Sequence, residues 1–163
     1  MAAVKSMNDL FIHTLKDIYY AEKLIYRSLP KMAKQAASAE LRQAFEKHRE
    51  ETEGQIERLE QIFELCDVAA RGVRCEAMDG IVAEAKDIME EVEDAEVRDA
   101  GMLAAAQTVE HYEISRYGTM IAWATQLGMK DAAKLLQQTL EEEKKTDKLL
   151  SELAMKSVNQ TAA

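Results

Sequence analysis

Hydrophobic residues recur at three- and four-residue steps along most of the chain, which is the spacing of one face of an α-helix. This pattern predicts four long helices and one shorter helix. The long helices are expected at about 6–35, 39–65, 95–127 and 130–158, and the shorter one at about 76–92. The chain is therefore expected to be all-α.

The residues at the predicted helix ends agree with this assignment. Ser6 and Ser38 are suited to cap the first two helices, and Gly128 is suited to end the third long helix. Pro30 lies late in the first helix and should kink it or split off its last turn. Residues 159–163 are expected to fray.

The apolar face of each long helix is interrupted near its middle by ionisable residues. A buried ionised carboxylate is costly unless it is paired or bound to a cation. Four interruptions at matching depth therefore predict that these side chains converge around metal. The residues of this inward polar set are Glu22, His48, Glu51, Glu110, Glu113, Glu143 and Asp147.

The shorter helix carries no inward carboxylate at this depth, so we interpret it as part of a crossover between two helix pairs. A bundle with one long connection has the ferritin-like arrangement rather than simple up-and-down topology. The predicted fold is a ferritin-like four-helix bundle with one long crossover that carries an additional short helix. Residues 1–163 are expected to form a single domain.

The ligand pattern departs from the one usual in this arrangement, in which Glu-x-x-His occurs on two helices. The second helix has the reverse order, His48-x-x-Glu51, and the last has Glu143-x-x-x-Asp147 without a histidine. The site is thus rich in oxygen ligands. Two first-row transition-metal ions are expected, iron first, with manganese as the alternative.

Some positions stay ambiguous at this stage, because charge runs usually mark a solvated face. In the second helix Glu50, Glu51 or Thr52 could face inward, and in the last helix Glu142 or Glu143 could do so.

Composition and charge narrow the function. The 163 residues include one proline and six glycines, and the net charge is −9. This charge argues against binding to nucleic acid or to a membrane surface, both of which are polyanionic. Without a signal peptide or a membrane span, the expected location is the cytoplasm.

Five motifs carry a resemblance to a known family. They are LFIH at 10–13, YAEK at 20–23, HREETEGQIER at 48–58, VEHYEI at 109–114 and EEEKKTD at 141–147. In these motifs the chain resembles the YciF/YciE family of bacterial ferritin-like stress proteins. The resemblance implies a ferritin-like bundle, a homodimer, a di-metal centre and a link to stress responses. It implies no defined biochemical activity.

Our leading hypothesis is a carboxylate-bridged di-metal protein that oxidises ferrous iron or turns over peroxide, with dioxygen or peroxide as a partner. Glu22 and Glu113 are expected to be terminal or chelating ligands. Glu51 and Glu143 are expected to bridge the metals, and the other three residues of the set to complete the shell. No residue is assigned a catalytic role beyond metal binding.

The alternative is a non-enzymatic, stress-induced helical dimer that acts as a scaffold or interaction protein. Its inner carboxylates would be protonated or paired with arginine.

Overall fold

The computed structural model describes residues 4–163, and helices account for most of them. Among the described residues there is no strand, so the all-α prediction is confirmed. The elements are α1 (Met7–Gln35), α2 (Ala39–Leu65), α3 (Glu76–Glu91), α4 (Ala95–Gln126), α5 (Lys130–Leu153), a π-helical turn (Ala154–Val158) and α6 (Asn159–Ala162).

Hydrogen bonds between helices define the topology. On α2 and α5, the Arg58 Nε donates to Thr139 Oγ1 and the Thr146 Oγ1 donates to Glu51, so these helices are antiparallel. Helix α4 is also antiparallel to α5 because the two follow each other through the tight turn at Gly128, where φ is +73°. Therefore α2 and α4 run in the same direction, which requires the long crossover between them.

The crossover is tied to the bundle at the start of α3. Cys75 caps α3, and its Sγ lies 2.9 Å from the Tyr112 hydroxyl. That hydroxyl donates a hydrogen bond of 2.8 Å to Asp17 Oδ2 on α1. Helix α3 is thereby fixed against α1 and α4, with Met78 and Ala85 buried on its inner side.

The predicted caps are confirmed: Ser6 Oγ accepts from the Asp9 N–H and Ser38 Oγ from the Leu41 N–H. The turn before α2 is held further by Asp99 of α4, whose carboxylate accepts the N–H of Ser38 at 2.6 Å.

Two expectations about helix ends need correction. Pro30 does not split off the last turn, and helix α1 continues to Gln35 because Met32 and Ala33 beyond the proline pack into the core. The tail does not fray at Asn159 but stays helical to Ala162, since Val158 just before it is buried.

Along residues 4–163, no helix combines the length and the hydropathy that crossing a lipid bilayer would require. The buried apolar residues of the four long helices form one shared core, whereas a single domain was predicted for residues 1–163. That domain assignment and the cytoplasmic location stay predictions.

Two glycines of α4 test the packing of α3. A Cβ at Gly101 would lie 2.6 Å from Ile88 Cγ2, a methyl group fixed close to the α3 backbone, whereas nothing lies within 4 Å of a Cβ at Gly118. Gly101→Ala should therefore lower the free energy of unfolding by about 1–3 kcal/mol. The matched control Gly118→Ala should raise it by about 0.5–1 kcal/mol, the usual gain inside a helix. Urea unfolding measures both, and a Gly101→Ala variant as stable as Gly118→Ala would contradict the close α3–α4 contact.

Candidate metal centre

One group of side chains meets at mid-depth of the bundle. His48 of α2, Glu110 and Glu113 of α4, and Glu143 of α5 each offer a ligand atom, and these atoms all lie within 4.8 Å of one another. All four residues are buried, with at most 3% of any of them exposed. Three helices thus bring one imidazole and three carboxylates to one point.

Helix geometry explains which residues enter this group. Glu110 and Glu113 are three residues apart, so they lie on the same face of α4. His48 approaches from α2, with its Nδ1 3.1 Å from Glu110 Oε1, although no aligned hydrogen bond joins the two atoms. The His48 backbone carbonyl accepts a hydrogen bond from Thr52 Oγ1, at 2.8 Å.

Glu22 of α1 lies beside the group and is also fully buried. Its Oε1 accepts a hydrogen bond from the Tyr117 hydroxyl of α4, which fixes the orientation of the carboxylate. Burial raises the pKa of Glu113, and the charge of Glu22 adds to the shift. All four long helices therefore contribute to this region, as expected from the sequence.

The structure places two members of the predicted set, Glu51 and Asp147, at the edge of the site. The Glu51 side chain is 23% exposed and contacts Thr146 and Lys47. The Asp147 side chain is 26% exposed, and its Oδ1 lies 3.1 Å from His111 Nε2. Neither residue joins the group within 4.8 Å.

The helix phase accounts for this position. Thr52, the alternative to Glu51, is fully buried on α2, and Thr146, the neighbour of Asp147, is buried on α5. One residue corresponds to a rotation of about 100° around the helix. Whether Glu51 or Asp147 binds a metal stays a prediction.

A contact between α2 and α5 resolves the ambiguity between neighbouring glutamates on α5. Arg58 forms an ion pair with Glu142 and donates a hydrogen bond of 2.9 Å to Thr139. Gln55 Nε2 also donates to Glu142, at 3.2 Å. Glu142 is thereby held outward and Glu143 faces the core. Sequence analysis missed Arg58, because no periodicity within one helix reveals a partner on another.

The carboxylates of the site lack the hydrogen bonds that buried oxygens normally have. The buried atoms without a partner include both oxygens of Glu110, Glu113 and Glu143, one oxygen of Glu22, and His48 Nε2. Each such atom costs roughly 1–3 kcal/mol when it is left unsatisfied. So many in one place mark a site that is completed by protons or cations.

The pKa values follow from this burial. Burial raises the pKa of Glu22 to about 8, and the charge of Glu143 adds to the shift. Burial likewise raises the pKa of Glu143 to about 7, and it raises the pKa values of Glu110 and Glu113. For His48, burial lowers the pKa to about 4. The imidazole is therefore neutral at pH 7, which is the form that binds metal.

The donor set fits a hard or borderline divalent cation. Carboxylate oxygens and imidazole nitrogen suit iron and manganese, and they need no thiolate. The two cysteines are free thiols, and neither belongs to the group.

The chain is similar to known proteins along nearly its whole length. Residues 6–163 match a family model described as "Domain of unknown function (DUF892)". Protein YciF of Escherichia coli strain K12 is 49% identical over 160 residues, which cover 98% of this chain and 96% of that protein.

Solved structures are also similar to this chain. The crystal structure of the E. coli stress protein YciF has a TM-score of 0.91 at 50% identity and covers 96% of this chain and 99% of its own. YcfI of Rhodopseudomonas palustris has a TM-score of 0.90 at 47% identity, with coverage of 92% and 96%. A protein from Xanthomonas campestris has a TM-score of 0.74 at 20% identity and covers 91% of both chains, so it shows the fold alone. The resemblance seen in the motifs is confirmed, and the chain belongs to the DUF892 family.

Proposed function

We propose that the chain is a stress-associated ferritin-like protein whose buried carboxylates and His48 hold two first-row transition-metal ions, iron first and manganese as the alternative. The observation that carries the proposal is the absence of any hydrogen-bond partner for both oxygens of Glu110, Glu113 and Glu143. The stress association rests on the similarity to YciF, which is described as a stress protein.

Charge balance supports two ions rather than one. The carboxylates of Glu22, Glu110, Glu113 and Glu143 carry four negative charges when they are ionised. Two divalent cations neutralise this charge, and neutral His48 adds a ligand without changing the balance. A single divalent cation would leave two negative charges in a dry core, which is costly.

When bound, the metals would supply Lewis acidity and a redox couple that passes electrons from ferrous iron to dioxygen or peroxide. The protein would contribute a fixed set of ligands. Tyr117 orients Glu22, and its own pKa is raised by burial and by the Glu22 charge, so its hydroxyl keeps the proton that it donates. The apolar residues above and below the group exclude bulk water.

We extend the proposal to Glu51 and Asp147 as ligands that reach the metals from the edge of the site. Their side chains are partly exposed, and Lys47 lies 3.3 Å from Glu51, so their charges are not part of the balance of the buried core. We further propose a cytoplasmic homodimer and dioxygen or peroxide as the oxidant.

The scaffold alternative is weakened by the arginines. If arginine neutralised the inner carboxylates, a guanidinium should reach them. Four arginines of these helices bond to groups outside the cluster, namely Arg27, Arg49, Arg98 and Arg116. Arg58 lies nearer, but its guanidinium pairs with Glu142, which is held outward. Protonation is therefore the main way to neutralise a metal-free cluster.

Metal content provides the first test. Protein purified without chelators and loaded anaerobically with ferrous iron should contain about two ions per chain by mass spectrometry. Glu143→Gln removes a charged ligand and should lower metal affinity by about 10–100-fold. Glu141→Gln changes an exposed neighbour on the same helix and should keep full occupancy. Fewer than about one ion per loaded chain would contradict the proposal.

The pH dependence of stability provides the second test. In metal-free protein, the pKa of Glu22 is about 8 instead of 4.5, so the folded state binds its proton more tightly than the unfolded state. This stabilisation is complete at low pH and is lost as the pH rises toward 8. The lowered pKa of His48 changes stability in the opposite direction. This change occurs only below the ordinary histidine pKa of 6.5, where the imidazole of the unfolded state gains a proton.

The melting temperature of metal-free protein should therefore fall between pH 6.5 and pH 8. Saturating manganese should raise the melting temperature and remove the fall, because cations replace the protons. Glu22→Gln should make the fall in metal-free protein shallower. If the melting temperature falls equally with and without manganese, the scaffold alternative is favoured.

Activity provides the third test. Loaded protein should oxidise added ferrous iron in the presence of dioxygen or peroxide faster than protein-free buffer does. We expect Glu113→Gln to slow this reaction by about 10–100-fold, because the ligand set loses a charge. The rate is followed by the absorbance of ferric iron. Full occupancy with no acceleration over buffer would contradict the enzymatic part alone.

A further inference from the structure

A cavity of about 220 Å³ lies between α1, α3 and α4 and borders the carboxylate group at His48 of α2. Most of its wall is apolar, with Ile25, Met32, Val82, Met89 and Val109 among the lining side chains. An apolar cavity of about 150 Å³ is enough to bind benzene in another protein. When the six carbons of benzene are scaled by cavity volume, this cavity has room for a chain of about eight or nine carbons.

The mouth of the cavity is positively charged. Arg27 and Lys31 of α1 and Lys86 of α3 line the cavity and are exposed, and no carboxylate of the described residues lines it. The nearest acid is Glu90, whose Oε1 lies 3.7 Å from the Nζ of both lysines. These pairs are about half exposed, so they are weak and open to competition. In a chain with a net charge of −9, this local excess of cations selects for an anion.

One buried polar side chain lies at the inner end of the cavity. His48, which is 3% exposed, forms part of the wall, and its Nε2 has no hydrogen-bond partner. The same imidazole faces Glu110 through Nδ1. A molecule that fills the cavity therefore reaches the ring that borders the carboxylate group.

We propose that this cavity binds a single-chain carboxylate of medium length, with its carboxylate at Arg27, Lys31 and Lys86 and its hydrocarbon chain extended toward His48. The apolar wall selects the chain and the cations select the head. This site does not depend on metal and is tested on metal-free protein, so its failure and the failure of the proposed metal centre are separate outcomes.

Isothermal titration calorimetry with a series of carboxylates tests the size and charge of the site. Affinity should rise by about fourfold per methylene from butyrate to octanoate and then level off once the chain fills the cavity. Octylamine, which has a similar chain and the opposite charge, should bind at least about tenfold more weakly than octanoate. No saturation with octanoate, or equal binding of octanoate and octylamine, would overturn the proposal.

Variants locate the binding. Ala85→Phe fills the cavity from α3 and should abolish octanoate binding. Because a buried substitution can impair folding, the double variant Lys31→Glu/Lys86→Glu provides a second, exposed change that should weaken binding by about fivefold or more. The matched control is Lys144→Glu/Lys148→Glu, which makes the same charge change at exposed positions of α5 and should leave binding unaltered.

Histidine NMR signals give a readout of position. The chain has three histidines, and among them only His48 lines the cavity. Octanoate should shift the ring signals of His48 and leave those of His13 and His111 in place. Shifts at His13 or His111 without a shift at His48 would overturn the assignment. Co-sedimentation with anionic phospholipid vesicles in the absence of octanoate binding would also overturn it, since the cations would then serve a membrane surface.

Discussion

Burial of carboxylates without hydrogen-bond donors is the constraint on which the rest of the site depends. Glu22, Glu110, Glu113 and Glu143 are all fully buried, and three of them have no hydrogen-bond partner for either oxygen. Ionised groups in such a place are tolerated only when an opposite charge lies among them. The bundle can supply that charge in two ways, by protons on the acids or by cations between them. The proposed metal ions are the cations that would lie between the acids.

The topology of the bundle makes this concentration of charge feasible. Helices α2, α4 and α5 each bring a residue near their middle to one point, since the ligand atoms of His48, Glu110, Glu113 and Glu143 lie within 4.8 Å of one another. The surroundings then fix the ligands: Tyr117 holds Glu22, and Arg58 holds Glu142 away from the core. A site fixed by neighbouring contacts in this way has little freedom to rearrange toward water. The rigid helices and the unsatisfied oxygens are therefore parts of one arrangement.

Much of this could be predicted from the sequence, because helical periodicity and capping residues are local properties. The helix bounds, the crossover helix and the burial of Glu22, His48, Glu110 and Glu113 followed from it, whereas the choice of Glu143 over Glu142 needed the contact of Arg58 with Glu142. Glu51 and Asp147 lie at the edge of the site because contacts between helices, such as Thr146 with Glu51, set the rotation of each helix about its axis. The cavity beside α3 could not be predicted either, since it depends on how three helices pack. The identity of the metal depends on chemistry that the side chains share among several ions.

Anomalous diffraction from a crystal loaded anaerobically with ferrous iron tests the central claim most directly. Our account predicts two peaks at the iron absorption edge, roughly 3.5–4 Å apart, with Glu110, Glu113 and Glu143 as ligands. Loading with manganese should give peaks at the same positions. A loaded crystal with no anomalous peak among these carboxylates, or with an arginine side chain lying between them, would contradict it.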